Sequence, residues 1–309
     1  MSSAVLFPGQ GSQHVGMGED LFERHADRLG DEADRILGWS LRDVCLEGPE
    51  ERLTRTEFAQ PALFALSYAR WLDVEPQLAD HVSAAAGHSL GEYTALVAAG
   101  MIPYEAALAV VAERGAAMSD AADAEPSGMA ALIGATPESA EEVAAACRAG
   151  GGRLTVANLN APGQVVVAGG ADDLDWLDEH ARDYGVRRAI RLNVAGAFHS
   201  PFMSAATARL ADALHDVEVR PARFPVYSNV TAAPVGPADV AGLLERQVEA
   251  PVRFQETLQA MAATGIDTFI HVGPGDVTAG MAKRTVDGAT IVVVNDAAGV
   301  EQLSTMTFE

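Results

Sequence analysis

The sequence predicts an α/β fold, a parallel central sheet covered by helices, with a small ferredoxin-like domain inserted into it. Three observations carry that prediction. Short apolar runs alternate with helical stretches through both ends of the chain, as expected of parallel strands joined by crossover helices. The middle of the chain breaks this rhythm with a β-α-β-β-α-β order. At Gly87-His88-Ser89-Leu90-Gly91 an apolar strand meets an amphipathic stretch through a G-x-S-x-G turn, the strand-turn-helix elbow of α/β-hydrolase-like domains.

The elements follow in order. Ala4 to Phe7 is a buried strand ended by Pro8-Gly9. Helical patterns run through Leu21 to Leu37 and Pro61 to Trp71, and Ser83 to Gly87 is the strand that enters the elbow. Helices over Tyr93 to Ala99 and Tyr104 to Ala117 come next. The inserted unit then reads as a strand at Met129 to Ile133, a helix at Pro137 to Ala149, two strands at Leu154 to Ala157 and Gln164 to Ala168 around a turn at NLNAPG, a helix at Asp172 to Tyr184 and a strand at Arg188 to Leu192. Strands at Phe224 to Ser228, Thr268 to Val272 and Thr290 to Val294 complete the sheet. The domains are therefore 1–126 with 198–309, and an insert at 127–197; a cleft between two such domains is a common substrate site.

Composition narrows the function. With 49% hydrophobic and 21% charged residues the chain is an ordinary globular protein. The net charge of −22 removes the electrostatic attraction that drives binding to nucleic acids or anionic membranes. The longest apolar segment, Leu96 to Ala112, is interrupted by Gly100, Pro103 and Glu105, which argues against a membrane span. Cys45 and Cys147, the only cysteines, make neither a disulfide framework nor a metal site. A cytoplasmic monomer with no metal and no cofactor is expected.

Ser89 at the elbow needs a base, because a serine hydroxyl is not acidic near neutral pH. Of eight histidines, His14, His25, His81, His180 and His215 sit among charged or turn residues and are expected at the surface. His88 is expected to point away from Ser89, and His271 lies inside an apolar strand. His199 stands where the insert rejoins the large domain. A base and a capping or core histidine both fit it. Arg114 ends an apolar helical stretch, and a buried partner or a surface cap both fit there.

The motifs Phe7-Pro8-Gly9-Gln10-Gly11-Ser12-Gln13, Gln60-Pro61-Ala62-Leu63, Gly87 to Tyr93, Arg114-Gly115, Asn160 to Val165, Ala197-Phe198-His199-Ser200 and Val272-Gly273-Pro274-Gly275 resemble the malonyl-CoA:acyl-carrier-protein transacylases. That family includes the fatty-acid enzymes and the free-standing acyltransferases of trans-acyltransferase polyketide synthases. The matches keep the family's order from near residue 5 to near residue 295.

The resemblance implies Ser89 as the acylated nucleophile and His199 as its base. It implies Gln10 and the Leu90 amide as the oxyanion hole, and the Gln247 carbonyl as the group that orients His199. Arg114 would grip the malonate carboxylate in a bidentate pair. Phe198 would wall off the space of an α-methyl group, and Leu90 within GHSLG matches the malonyl type. Gln60 would line the cleft; Asn160 would line it or hold the hairpin turn. Malonyl-CoA and an acyl carrier protein are the implied partners, in polyketide or fatty acid synthesis. Arg187, Arg188 and Arg191, with Lys283-Arg284, are basic groups that could receive these anionic partners. An acyl-carrier-protein hydrolase is the competing enzyme, and a noncatalytic docking module the competing binder.

Overall fold

The computed structural model describes residues 2–78 and 80–306; the outer limits of the large-domain assignment, residues 1 and 309, lie outside the described residues. Among the described residues eight strands form: β1 Ser3–Phe7, β2 Val82–Gly87, β3 Ser127–Ile133, β4 Thr155–Ala161, β5 Gln164–Gly170, β6 Arg188–Arg191, β7 Thr268–Val272 and β8 Thr290–Val294. They build two sheets. The first is parallel, in the order β2-β1-β7-β8. Every residue of β1 and β7 is buried, because helices cover both faces of a parallel sheet.

The second sheet is antiparallel, in the order β4-β5-β3-β6, which is the ferredoxin-like arrangement. The helices Pro137–Ala149 and Ala171–His180 pack on it around Leu132, Val143, Leu154, Val165, Val167 and Leu177. The first of these helices begins at a capping box between Thr136 and Ser139. We propose 127–197 as the inserted domain on the ground that β3–β6 share one sheet and enclose their own core.

Four elements differ most from expectation. The single helix expected over Leu21 to Leu37 is two short ones, Ala26–Leu29 and Asp31–Leu37. Gly30 separates them with ψ −139°, a conformation that ends a helix. The helix expected at Pro61 to Trp71 runs from Thr56 to Leu78 with Pro61 and Pro76 inside it. Complete burial of Ala62 to Leu66 outweighs the hydrogen bond each proline forgoes. NLNAPG is not all turn: residues 158–161 continue β4 with register shifts, since Leu159 donates to the Val252 carbonyl and Val252 to the Ala157 carbonyl, both at 2.9 Å. The strand expected at Phe224 to Ser228 shrinks to bridges from Val226 to Ala85 and from Tyr227 to Pro234. Pro225 has no N–H to donate, and a turn closed by Ala232 donating to Ser228 diverts the chain.

Candidate active site

β2 delivers the chain to Ser89, and the helix Gly91–Ala98 carries it away. Ser89 holds φ 51°, a left-handed conformation that a non-glycine residue adopts only under constraint. The flanking glycines make the turn possible. A Cβ on Gly87 would lie 1.8 Å from the Gly91 carbonyl carbon, and one on Gly91 would lie 2.3 Å from the Phe7 oxygen. The Ser89 backbone is pinned at both ends. Its amide donates to Asn229 Oδ1 at 2.7 Å, and its carbonyl accepts from Gln247 Nε2 at 3.1 Å.

The Ser89 hydroxyl lies 2.8 Å from His199 Nε2. His199, itself at φ 57°, places Nδ1 2.8 Å from the Gln247 carbonyl at the end of the helix Val240–Gln247. A carbonyl can only accept, so Nδ1 carries the hydrogen and Nε2 presents its lone pair to Ser89. Burial, reinforced by the Arg114 guanidinium, pushes the His199 pKa down to about 3, so the ring is neutral near pH 7.

Arg114 projects from the helix Tyr104–Ala124 and is 1% exposed. Its Nη1 donates to Gln60 Oε1 at 2.6 Å, and its Nη2 donates to Ser89 Oγ and to Gln247 Oε1, each at 3.0 Å. Among the described residues Nε has no acceptor. The guanidinium also lies 5.4 Å from the centre of the Tyr93 ring. All its hydrogen-bond partners are neutral.

Ser89, His199, Arg114 and Gln60 line a cleft of about 260 Å³ together with Gln10, Leu90, Phe198 and Asn160. Gln10 follows β1, and its side chain donates to Thr56 Oγ1 at 3.3 Å. Among the described residues, neither the Gln10 nor the Leu90 amide donates to a protein acceptor. Gln60 accepts from Arg114, and Phe198 is 6% exposed next to His199. Asn160, inside β4, pairs its Oδ1 with His88 Nε2 at 2.7 Å. His88 lines the same cleft as Ser89, and its ring meets Phe254 edge-on with 5.4 Å between ring centres.

Two further residues, which no sequence motif assigns to the site, support it. Asn229 holds the Ser89 amide and also donates its Nδ2 to the Gly87 carbonyl at 2.8 Å. Glu92, 1% exposed, accepts at Oε2 from the Asn229 amide at 2.9 Å and from Gln247 Nε2 at 2.6 Å. Burial pushes its carboxyl up to about 7, against the pull of those hydrogen bonds, of Ser228 and of Arg114. Its place just behind the elbow, inside an apolar stretch, was the available signal.

Elsewhere, His271 is buried in β7 against Thr278 and Gly273. His25 is half-buried against Asp73 rather than free at the surface. Arg191 is paired with Asp175 and Asp178, while Arg187 and Arg188 are exposed. Arg284 reaches Gln164 on the cleft rim at 2.7 Å. Among the described residues no helix is long and apolar enough to cross a membrane.

The acyl transferase domain model matches residues 5–306. Malonyl CoA-acyl carrier protein transacylase of Bacillus subtilis is 40% identical over 301 residues, covering 96% of this chain and 95% of that protein. The structure of an acyl-carrier-protein S-malonyltransferase from Bartonella henselae superposes with TM-score 0.92 at 36% identity, over 98% of both chains. A malonyl-transacylase solved in complex with a type II polyketide-synthase acyl-carrier protein superposes with TM-score 0.91 at 35% identity, over 98% of this chain and 99% of that one.

Proposed function

The chain belongs to the acyl transferase domain family, and from that premise we propose that it moves malonyl from malonyl-CoA to the thiol of an acyl carrier protein through a Ser89 acyl-enzyme. The observation that carries the choice of acyl group is Arg114, a buried guanidinium 3.0 Å from the nucleophile whose partners are all neutral. A buried cation with no counter-charge in direct contact favours an anionic ligand, and the planar fork matches a carboxylate.

In the first half-reaction Ser89 Oγ attacks the thioester carbonyl while His199 Nε2 takes its proton. The carbonyl oxygen, now negative, is met by the Leu90 and Gln10 amides, donors fixed before the charge develops. The carbon–sulfur bond then breaks and His199 returns the proton to the departing coenzyme A thiolate. In the second half, the carrier-protein thiol gives its proton to His199 and attacks the ester carbonyl; the carbon–oxygen bond to Ser89 then breaks and His199 returns the proton to Ser89 Oγ. The Gln247 carbonyl holds the ring orientation and stabilises the imidazolium at each transfer. No bound cofactor is called for.

Phe198 fills the space where an α-methyl would sit, worth about 1–3 kcal/mol of selectivity. Arg187, Arg188, Lys283 and Arg284 supply local positive charge for the anionic partners. The protein acts as a cytoplasmic monomer. A hydrolase is not favoured, since water needs no carboxylate clamp. Incubation with malonyl-CoA alone should add one malonyl mass on Ser89, absent in Ser89→Ala, and the label should pass to carrier protein faster than to water. Full labelling of Ser89→Ala would refute the assignment.

A further inference from the structure

Behind the reacting groups stands a carboxylate with no part in the chemistry just described. Glu92 opens the helix after the elbow, is 1% exposed, and accepts from the Gln247 side chain at 2.6 Å and the Asn229 amide at 2.9 Å. Arg114 does not bond to it directly; the guanidinium reaches it through Gln247, whose Oε1 accepts from Nη2 at 3.0 Å. We propose that Glu92 is a positioning residue, a relayed counter-charge that acts through the Gln247 amide to keep Arg114 charged and aimed while leaving its fork open to the carboxylate of the acyl group. This deepens the malonyl reading and rests on it.

The chemistry of the amide fixes the direction of the relay. Above about pH 7 Glu92 is ionised and its carboxylate only accepts, so the Gln247 NH2 must face Glu92 and Ser89 O, and the Gln247 oxygen must face Arg114. The reversed amide would set donor against donor at Arg114 and acceptor against acceptor at Glu92. A carboxylate in direct contact would solve the charge problem differently, by occupying the fork in a bidentate pair that malonate would have to displace. One amide away, the negative charge still favours the cation through the low-dielectric interior. The three donations from Arg114 then go to neutral oxygens that a carboxylate can outcompete. The same carboxylate holds the Asn229 amide, and the Asn229 side chain holds the Ser89 amide, so clamp and nucleophile share one anchor.

The test compares malonyl-CoA and acetyl-CoA as donors for the parent, Glu92→Gln, Glu92→Asp, Gln247→Leu and the Glu92→Gln/Gln247→Leu double variant. Glu92→Gln should lower the malonyl-to-acetyl ratio of kcat/KM by at least about tenfold, the least expected for weakening a hydrogen bond to a charged group. Gln247→Leu, which keeps the backbone carbonyl, should lower it comparably. The double variant should fall no further than the worse single, since both break one relay. Glu92→Asp should recover part of the ratio. Equal losses with both donors, or single losses that multiply in the double variant, overturn the proposal. If Glu92→Gln does not fold, Gln247→Leu decides alone: an unchanged ratio overturns it and a lowered ratio supports it. Arg114→Ala separates the two layers, because an unchanged ratio there removes the malonate clamp itself, whereas a collapsed ratio there beside an unchanged one in Glu92→Gln removes only Glu92.

Discussion

At Ser89 and His199 the backbone holds positive φ on both partners of the reacting pair, and the strain is offset by the hydrogen bonds that Asn229 and Gln247 make to each side. Their 2.8 Å contact is in place before any substrate arrives, so little reorganisation is needed for proton transfer. In the proposed reaction Arg114 sets the selectivity at the same scale. Removing one member of a desolvated charged pair costs about 3–5 kcal/mol. Arg114→Ala should therefore cut malonyl transfer by roughly two to four orders of magnitude while sparing acetyl transfer. Arg114→Lys should rescue only part, because an ammonium cannot reproduce two parallel hydrogen bonds. The ratio of the two transfer rates, read in variants whose thermal melts are intact, checks this. A parallel fall of both rates would make Arg114 a structural residue.

The elbow is an element whose shape depends on absent side chains. A Cβ at Gly91 would meet the Phe7 and Pro8 carbonyl oxygens at 2.3 and 2.8 Å, and both belong to the backbone at the end of β1, which cannot rotate aside. Gly91→Ala should destabilise the protein by about 3 kcal/mol, at the upper end of overpacking costs. Gly242 provides the opposite sign. It lies exposed in the helix Val240–Gln247 with nothing within 4 Å of a Cβ, so Gly242→Ala should stabilise by about 0.4–1 kcal/mol through lost unfolded-state entropy. Denaturant midpoints of the two variants should move in opposite directions from the parent, and a shared direction would contradict the geometry.

Across the whole molecule, buried ionisable groups set how stability responds to acid. Burial lowers His199 to about 3 and His271 to about 4, against 6.5 for a free histidine. Below pH 6.5 the unfolded chain takes up protons at these rings and the folded chain does not, so stability is lost as pH falls toward those folded values. Glu92, raised from 4.5 to about 7, works in reverse: its folded form holds a proton through that window, and stability is lost as pH rises through it. The two histidines outnumber it. Between pH 6.5 and about pH 5, His271 alone accounts for about 2 kcal/mol of acid destabilisation. Urea midpoints at about pH 7 and pH 5 should fall more for the parent than for His271→Gln, which lies outside the cleft. An equal fall would mean that His271 is already protonated in the folded state.

The amino-acid sequence alone determined the local elements and the types of chemistry. Alternation of apolar runs located the parallel strands, apart from the Phe224 to Ser228 stretch that forms only bridges, and the helical pattern located the helix at Pro137–Ala149. The G-x-S-x-G spacing located the elbow because only glycines fit there, a constraint visible within five residues. What the tertiary structure decided is everything that depends on approach across long separations. Which histidine faces Ser89 is settled across 110 residues, and Gln247 reaches Glu92 across 155. His88 finds its hydrogen-bond partner in Asn160, 72 residues away. Asn229 left no local mark, because a neutral amide after a short apolar run is ordinary in any loop. Its role comes from a carbonyl and an amide that the fold leaves unpaired at the elbow, and such a need exists only once the chain has closed around it.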